Sequence, residues 1–331
     1  MRTRTFGKTG WDVSEIGFGA WAIGGSWGAQ KDSDSLDALR KALELGVTFI
    51  DTAQGYGNGR SETIIGQLFK ERGQKLGGGP IKVATKVPPT AGAWPPLPGD
   101  VCAERYPEAY LRERVEFSLR NLKAEALDIL QLHTWTRAWN DDPVAVLTLQ
   151  KLKKEGKILA LGISTPEHDQ DSFDQLIKAG LLDSVQVIYN IFEQEPEAEL
   201  LPAAKKHGVG VIVRVVFDES SLTGKFTAQT KFPDDDFRSK YFRGDRLAQT
   251  IERVEAVKKT VAQVSGGKET NLASVAVRFA LRHPAVSTVI TGIRSVDQAV
   301  MNCGFSAQPP LTDELYLAVK KHYWRRAFWY E

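Results

Sequence analysis

Asp51, Tyr56, Lys86 and His133 are the side chains of this sequence whose types could together run proton chemistry. A phenol has a reference pKa of about 10 and gives up its proton poorly near neutral pH, so a tyrosine used as an acid needs an ammonium beside it to stabilise the phenolate. Lys86 can be that neighbour. A lysine held among apolar residues needs a carboxylate to stay charged, which Asp51 can supply, and His133 can aim a hydrogen bond at a substrate oxygen. The residues alone also allow a plainer reading: a structural Asp51–Lys86 salt bridge, a hydrogen-bonded core histidine and a loop tyrosine.

Each of Asp51, Lys86 and His133 closes a short apolar run, and such runs alternate with amphipathic segments along the chain, the mark of strand–helix repetition and a parallel sheet. Strands are expected at Ile16–Ala20, Val47–Asp51, Ile81–Lys86, Leu127–His133, Ile158–Ser164, Ser184–Ile188, Val209–Val215 and Val286–Thr291. Leu36, Leu39 and Leu43 predict a first helix behind Asp32 and Ser33, with Gly46 as its stop. Further helices are expected at Ser61–Lys70, Pro107–Leu122, Pro143–Glu155, Gln170–Lys178 and Pro196–His207, with two extra ones, Asp245–Val264 and Thr270–Arg282, before the last strand. Eight such units without a flexible linker predict a closed (β/α)8 (TIM) barrel forming one domain over residues 1–331. Residues 5–10 read as a short hairpin able to plug the barrel bottom. Val87–Pro107, rich in proline, and Phe217–Gly244, long and polar, are expected to overhang one common face. The strands end in Asp51, Lys86, His133, Ser164, Gln186 (with Asn190 just beyond), Arg214 and Thr291, and in a parallel barrel those ends converge on the rim that carries chemistry.

Composition narrows the classes. Of 331 residues, 42% are hydrophobic and 25% charged, and 43 Lys+Arg against 41 Asp+Glu leave a net charge of +2, too even for a protein that lives on nucleic acid or anionic membranes. The two cysteines, Cys102 and Cys303, lie far apart without metal-ligand spacing, which argues against a disulfide framework or a zinc site and for a reducing cytoplasm. No apolar stretch reaches the ~18 residues of a membrane span, and Met1-Arg2-Thr3-Arg4-Thr5-Phe6 lacks the apolar run of an export signal.

Phe49-Ile50-Asp51-Thr52-Ala53 followed by Tyr56-Gly57-Asn58-Gly59-Arg60-Ser61-Glu62 resembles the most characteristic signature of the aldo-keto reductases. Leu127-Asp128-Ile129-Leu130-Gln131-Leu132-His133, Val185-Gln186-Val187-Ile188-Tyr189-Asn190, Leu222-Thr223-Gly224-Lys225 and Thr291-Gly292-Ile293-Arg294-Ser295 are similar to later motifs of that family, in the same order. The resemblance implies an NADPH-dependent barrel reductase acting on a small carbonyl or alcohol. It implies Tyr56 as general acid, Lys86 and Asp51 tuning it, and His133 orienting the carbonyl. Ser164 and Gln186 would hold the nicotinamide carboxamide, Gly292, Arg294, Gln298 and Asn302 the adenosine end, and Ala20, Trp21, Asp51, Arg214 and Lys225 further parts of the cofactor site. Trp21, Tyr56, His133 and Trp135 would line the substrate pocket. Because the family extends to channel partners, a cofactor-bound regulatory subunit is the alternative, and substrate and oligomeric state stay open.

A helix opened near Ser295 would suit a phosphate at its N-terminus, and Arg294 adds a guanidinium that favours a 2′-phosphate and hence NADPH. Three positions depart from the family pattern: Ser164-Thr165-Pro166 where Ser-Asn is usual, Arg214 where an aromatic usually stacks on nicotinamide, and Met301 where glutamate is frequent. If Arg214 is a structural cation, Asp218 or Glu219 is its expected partner. Gly17-Phe18-Gly19-Ala20-Trp21-Ala22 formally fits a Rossmann fingerprint, but the glycine-rich run after it, Ile23 to Gly28, argues against the helix that a fingerprint must open. Trp21, Trp27, Trp135, Trp139 and the tail from His322 to Tyr330 could add aromatic surface near the rim or simply pack on the barrel wall.

Overall fold

The computed structural model describes residues 1–331 apart from 26, 27, 29 and 331 and, of 327 and 328, the backbone alone. Trp27, expected near the rim, therefore lies outside the described residues. The strands are β1 (Thr3–Phe6), β2 (Trp11–Ser14), β3 (Ile16–Gly19), β4 (Phe49–Asp51), β5 (Lys82–Val87), β6 (Leu127–Leu132), β7 (Ile158–Ser164), β8 (Ser184–Ile188), β9 (Gly210–Arg214) and β10 (Val286–Gly292). The helices are α1 (Asp32–Glu44), α2 (Arg60–Glu71), α3 (Cys102–Arg105), α4 (Glu108–Leu122), α5 (Val144–Lys154), α6 (Asp174–Lys178), α7 (Leu200–Lys206), α8 (Phe237–Tyr241), α9 (Arg246–Ser265), α10 (Leu272–Arg282), α11 (Val296–Gly304) and α12 (Asp313–Lys320).

Strands β3 to β10 close into a parallel barrel in the order β10-β3-β4-β5-β6-β7-β8-β9. All eight expected strands are present, and their β-branched and aliphatic content is what a strand buried on both faces requires. The differences lie at the ends. α6 starts at Asp174, because residues 170–173 form turns, with Ser172 N donating to Asp169 O. α7 starts at Leu200 because the expected first residue, Pro196, belongs to a separate 3-10 turn. β9 stops at Arg214 because Val215 has a positive φ of 55°, a conformation no strand continues through. After β3 the chain enters a 3-10 turn at Ala22–Gly24, so the Gly17–Ala22 run opens no dinucleotide-binding helix.

Inward side chains fill the barrel in layers. The lower layer, Phe49, Ala84, Ile129, Ala160, Ile212 and Ile290, packs with Phe6 and Val13 of the β1–β2 hairpin. That hairpin seals the bottom: Lys8 N donates to Gly208 O, and a Cβ on Gly210 would lie 2.5 Å from the Phe6 ring, so only glycine lets the plug seat. Two residues further along the same strands the inward positions are Asp51, Lys86, Gln131, Gly162, Arg214 and Gly292, polar or without a side chain. Outside, the helices lay apolar faces on the sheet, as with Leu36, Leu39 and Ala42 of α1. Among the described residues no helix is long and apolar enough to cross a membrane.

Candidate active site

Asp51 closes β4 and Lys86 lies one residue before the end of β5, both buried. Lys86 Nζ donates to Asp51 Oδ2 at 2.7 Å, to Thr52 O at 2.7 Å and to Tyr56 OH at 3.3 Å, so its three protons have three partners. Tyr56 is held by a turn that needs glycine. Gly57 adopts a φ of 63°, and a Cβ on Gly24 would lie 2.6 Å from the Tyr56 carbonyl carbon. Asp51 is further fixed by Gln186, whose Nε2 donates to Oδ1 at 2.6 Å.

His133 follows β6, its amide still donating to Val87 O. Its ring meets Tyr56 edge-on at 5.9 Å and Trp94 edge-on at 5.2 Å between centroids, and its Nδ1 is buried without a partner. Burial pushes the His133 imidazole well below its ordinary pKa, helped by Lys86 and Arg214, so the ring is neutral. Burial raises the Tyr56 phenol while Lys86 opposes the rise; the phenol is protonated and has a proton to give. Asp51 is likewise raised by burial and pulled back by Lys86 and Gln186.

Asp51, Tyr56, His133 and Gln186 line a cavity of about 540 Å³ that opens at the rim, with Lys86 buried behind them. Trp21 stacks on Tyr56 at 6.1 Å and meets Phe237 at 5.5 Å. Trp94, Phe217, Phe237 and Tyr330 supply the rest of the aromatic wall, from the two long rim segments and the C-terminal tail. Both long segments therefore do reach one face. Ser164, Gln186 and Arg214 line the floor opposite, and Gly292, Arg294 and Gln298 line the far end. There Gln298 Oε1 accepts from Arg294 N at 2.7 Å, Arg294 Nε donates to Gln30 Oε1 at 3.1 Å, and Ser295 caps α11.

Four expected site residues lie elsewhere. Trp135 is fully buried, its indole N–H donating to Asn140 Oδ1 at 2.9 Å and its ring packed on Trp139, so it belongs to the wall rather than the pocket. Ala20 is buried and touches the site only through its backbone, its N donating to Asp51 O and its O accepting from Ser61 Oγ. Lys225 is exposed beyond the cavity lining. Asn302 lies behind Gly292, whose carbonyl accepts from its Nδ2 at 3.2 Å, with Oδ1 buried and unpartnered.

Arg214 lines the cavity, but its partner is neither Asp218 nor Glu219. Its Nη2 donates to Glu167 Oε1 at 3.1 Å and Thr165 O at 3.0 Å, leaving Nε buried and unpartnered. Asp218 instead pairs with Arg326, and Glu219 accepts from Tyr330 OH at 2.7 Å. Thr165, the first departure from the family pattern, turns its hydroxyl to Gln170 Oε1. Trp94, Glu167 and Phe237 carry no sequence signal of their own, the extent of the loops that bear Trp94 and Phe237 being the available hint, whereas Tyr330 belongs to the aromatic tail, which does reach the rim.

The Aldo/keto reductase family matches residues 15–323. The chain is 32% identical to aldo-keto reductase YhdN of Bacillus subtilis (strain 168), over 90% of this chain and 86% of that protein. It is 29% identical to an NADH-specific methylglyoxal reductase of Escherichia coli (strain K12), over 91% of this chain and 92% of that one. Its fold superimposes on the glycerol dehydrogenase of Gluconobacter oxydans with a TM-score of 0.77 and 30% identity, over 97% of this chain and 94% of that one.

Proposed function

This chain belongs to the aldo/keto reductase family, and on that basis we propose that it reduces a carbonyl compound to an alcohol, or runs the reverse reaction, with NADP(H). The observation that carries the reading is the run of contacts from Asp51 through Lys86 to the Tyr56 hydroxyl beside a neutral His133 on the floor of an open cavity. Lys86 stabilises the phenolate that Tyr56 leaves behind when it protonates the substrate oxygen, and Asp51 keeps Lys86 charged. His133 donates to the same oxygen and fixes its position.

The cavity fits a dinucleotide. Its floor and far end are joined, and its donors differ at the two ends: Ser164 and Gln186 suit a carboxamide, whereas Arg294 and the capped start of α11 suit a phosphate. Arg214, with an unpartnered Nε, lies on the nicotinamide side. The cofactor, when bound, supplies the hydride. The aromatic walls from Trp21, Trp94, Phe237 and Tyr330 exclude water and select an apolar body with a polar tip.

The test is a screen of aldehydes, ketones and sugars followed by nicotinamide absorbance with NADPH and NADH in parallel, repeated with Tyr56→Phe and Arg294→Ala. The reading expects Tyr56→Phe to bind cofactor normally and lose about 10²–10⁴ in kcat. It expects Arg294→Ala to weaken NADPH by about 1.5–3 kcal/mol more than NADH. Wild-type turnover in Tyr56→Phe overturns the acid assignment. Cofactor binding without turnover on any carbonyl favours a regulatory role instead.

A further inference from the structure

Between the apolar lower layer and the cavity floor lies a row of inward positions that the proposed reaction does not use. Gln131 pairs in register with Lys86 on one side and Gly162 on the other, and Gly162 pairs with Ser184. Gln131 sits two residues after Ile129, which belongs to the lower layer, and two before His133, which lines the cavity. By the alternation of a strand all three point inward. Ser184 stands likewise two before Gln186. Gln131 is fully buried with both amide atoms unpartnered, Ser184 Oγ is buried and unpartnered, and so is His133 Nδ1 directly above. The absent side chain of Gly162 forms the notch between them, since a Cβ there would collide with Ser184 Oγ.

Such a concentration of unsatisfied donors and acceptors is costly in a barrel core unless something small and polar pairs them. Lys86 has no donor to spare, as its three protons are already placed. By the rise of a strand the Cα atoms of Gln131 and His133 stand about 6.6 Å apart on the same inward side, a spacing across which a water can bridge their side chains. Neither an apolar atom nor an ion suits the site: it offers an amide, a hydroxyl and a ring nitrogen, the two to four neutral partners of a buried water.

We propose that Gln131 and Ser184 hold a buried water beneath the catalytic layer, and that this water donates to His133 Nδ1 and so fixes the ring as the Nε2–H tautomer. The water gives one hydrogen to His133 Nδ1 and the other to Gln131 Oε1, and accepts from the Ser184 hydroxyl. A neutral imidazole has one donor and one acceptor, so an acceptor role imposed on Nδ1 leaves the donor on the nitrogen that faces the cavity. Gln131 and Ser184 are thus positioning residues acting through His133, and the inference deepens the proposed carbonyl reduction.

The decisive readout needs no turnover: nitrogen-15 spectra of the histidine rings in the cofactor-free protein, with His133→Asn identifying the His133 signals. Wild type is expected to show one neutral tautomer protonated at Nε2 with a hydrogen-bonded Nδ1. Gln131→Met and Ser184→Ala are both expected to shift the Nδ1 signal toward that of a free ring nitrogen or to admit the second tautomer. Gln131→Met is also expected to lower kcat about tenfold with an unchanged cofactor KM, the scale seen when outer-shell partners are removed. Unchanged His133 signals in both variants overturn the proposal. A response to Gln131→Met without one to Ser184→Ala overturns the shared water. Should Gln131→Met fail to fold, Ser184→Ala alone decides by the same criterion. Because these spectra are recorded without substrate, they stand whether or not the protein proves to be a reductase.

Discussion

Two buried ion pairs, Lys86 with Asp51 and Arg326 with Asp218, use similar chemistry to opposite ends. In the barrel pair every Lys86 proton has an acceptor, and one acceptor is a phenol on a cavity floor. In the tail pair Arg326 is sealed among Phe192, Trp324 and Trp329, with its guanidinium over the three aromatic rings and two of its nitrogens, Nε and Nη1, unpartnered. Its backbone N donates to Glu193 Oε1 at 3.0 Å, and Asp218 belongs to a turn in which Val215, Asp218, Glu219 and Ser220 all take positive φ. The first pair is completed by hydrogen bonds and opens onto solvent through Tyr56. The second is completed by π faces and opens onto nothing. A buried charge that will act must be coupled to an accessible group, whereas one that only clamps can be closed off.

Lys86→Met tests the first half of that contrast and should give the largest effect. Carbonyl-dependent cofactor oxidation should fall by about 10²–10⁴ in kcat, because an unassisted phenol is a poor acid. Arg326→Met should instead lower stability by about 3–5 kcal/mol in urea unfolding, since it strands Asp218, with far less loss of turnover per folded molecule. Adding Asp218→Asn should recover part of that stability, and failure to recover any would mean that aromatic packing on Arg326, not the pair, holds the tail.

Arg214 with Glu167 is the intermediate case, a pair that is partly exposed and lines the cavity. Arg214→Phe should change dinucleotide affinity by about 1.5–3 kcal/mol and alter the fluorescence of bound NADPH, with a modest effect on the cofactor-free melting temperature. A lower melting temperature with unchanged affinity would move Arg214 into the clamping class.

The acids around the tail pair add a pH slope to its stability. Burial pushes Glu193 and Glu219 up to about 7, above the carboxylate value they have when unfolded. Between those values the folded protein holds more protons than the unfolded one, so stability is greatest below the unfolded pKa and is lost as pH rises through about 7. Each group contributes a slope of at most about 1.4 kcal/mol per pH unit. Melting curves between pH 4.5 and 8 should show it, and Glu193→Gln with Glu219→Gln should flatten it relative to wild type.

The barrel was legible because its strands announce themselves locally as β-branched runs stopped by turns. The residues of the candidate site stood out because Asp51, Lys86 and His133 each stand at the end of such a run. Proximity across loops was not. Trp135, two residues after His133, looked like a pocket residue, yet its indole found Asn140 five residues on and turned into the wall. Arg214 was expected to pair with the acids nearest in sequence, but those point to the tail, and Glu167 reaches it from the loop after β7. Trp94 and Phe237 line the cavity through tertiary placement alone, which no periodicity encodes, while for Tyr330 the aromatic tail was the hint. The unpaired state of Gln131 likewise emerges only when Gly162 and Ser184 are seen beside it in register.

The hairpin that closes the barrel bottom also governs traffic. With Phe6 seated on Gly210, the lower end of the lumen is closed, and among the described residues the cavity above it is lined toward the rim by Trp94 and Tyr330. A dead-end tube enforces a queue. Under the proposed function, a ligand lying against Ser164 and Gln186 would have to arrive before, and depart after, one resting above it, an order set by the shape of the lumen rather than by relative affinities.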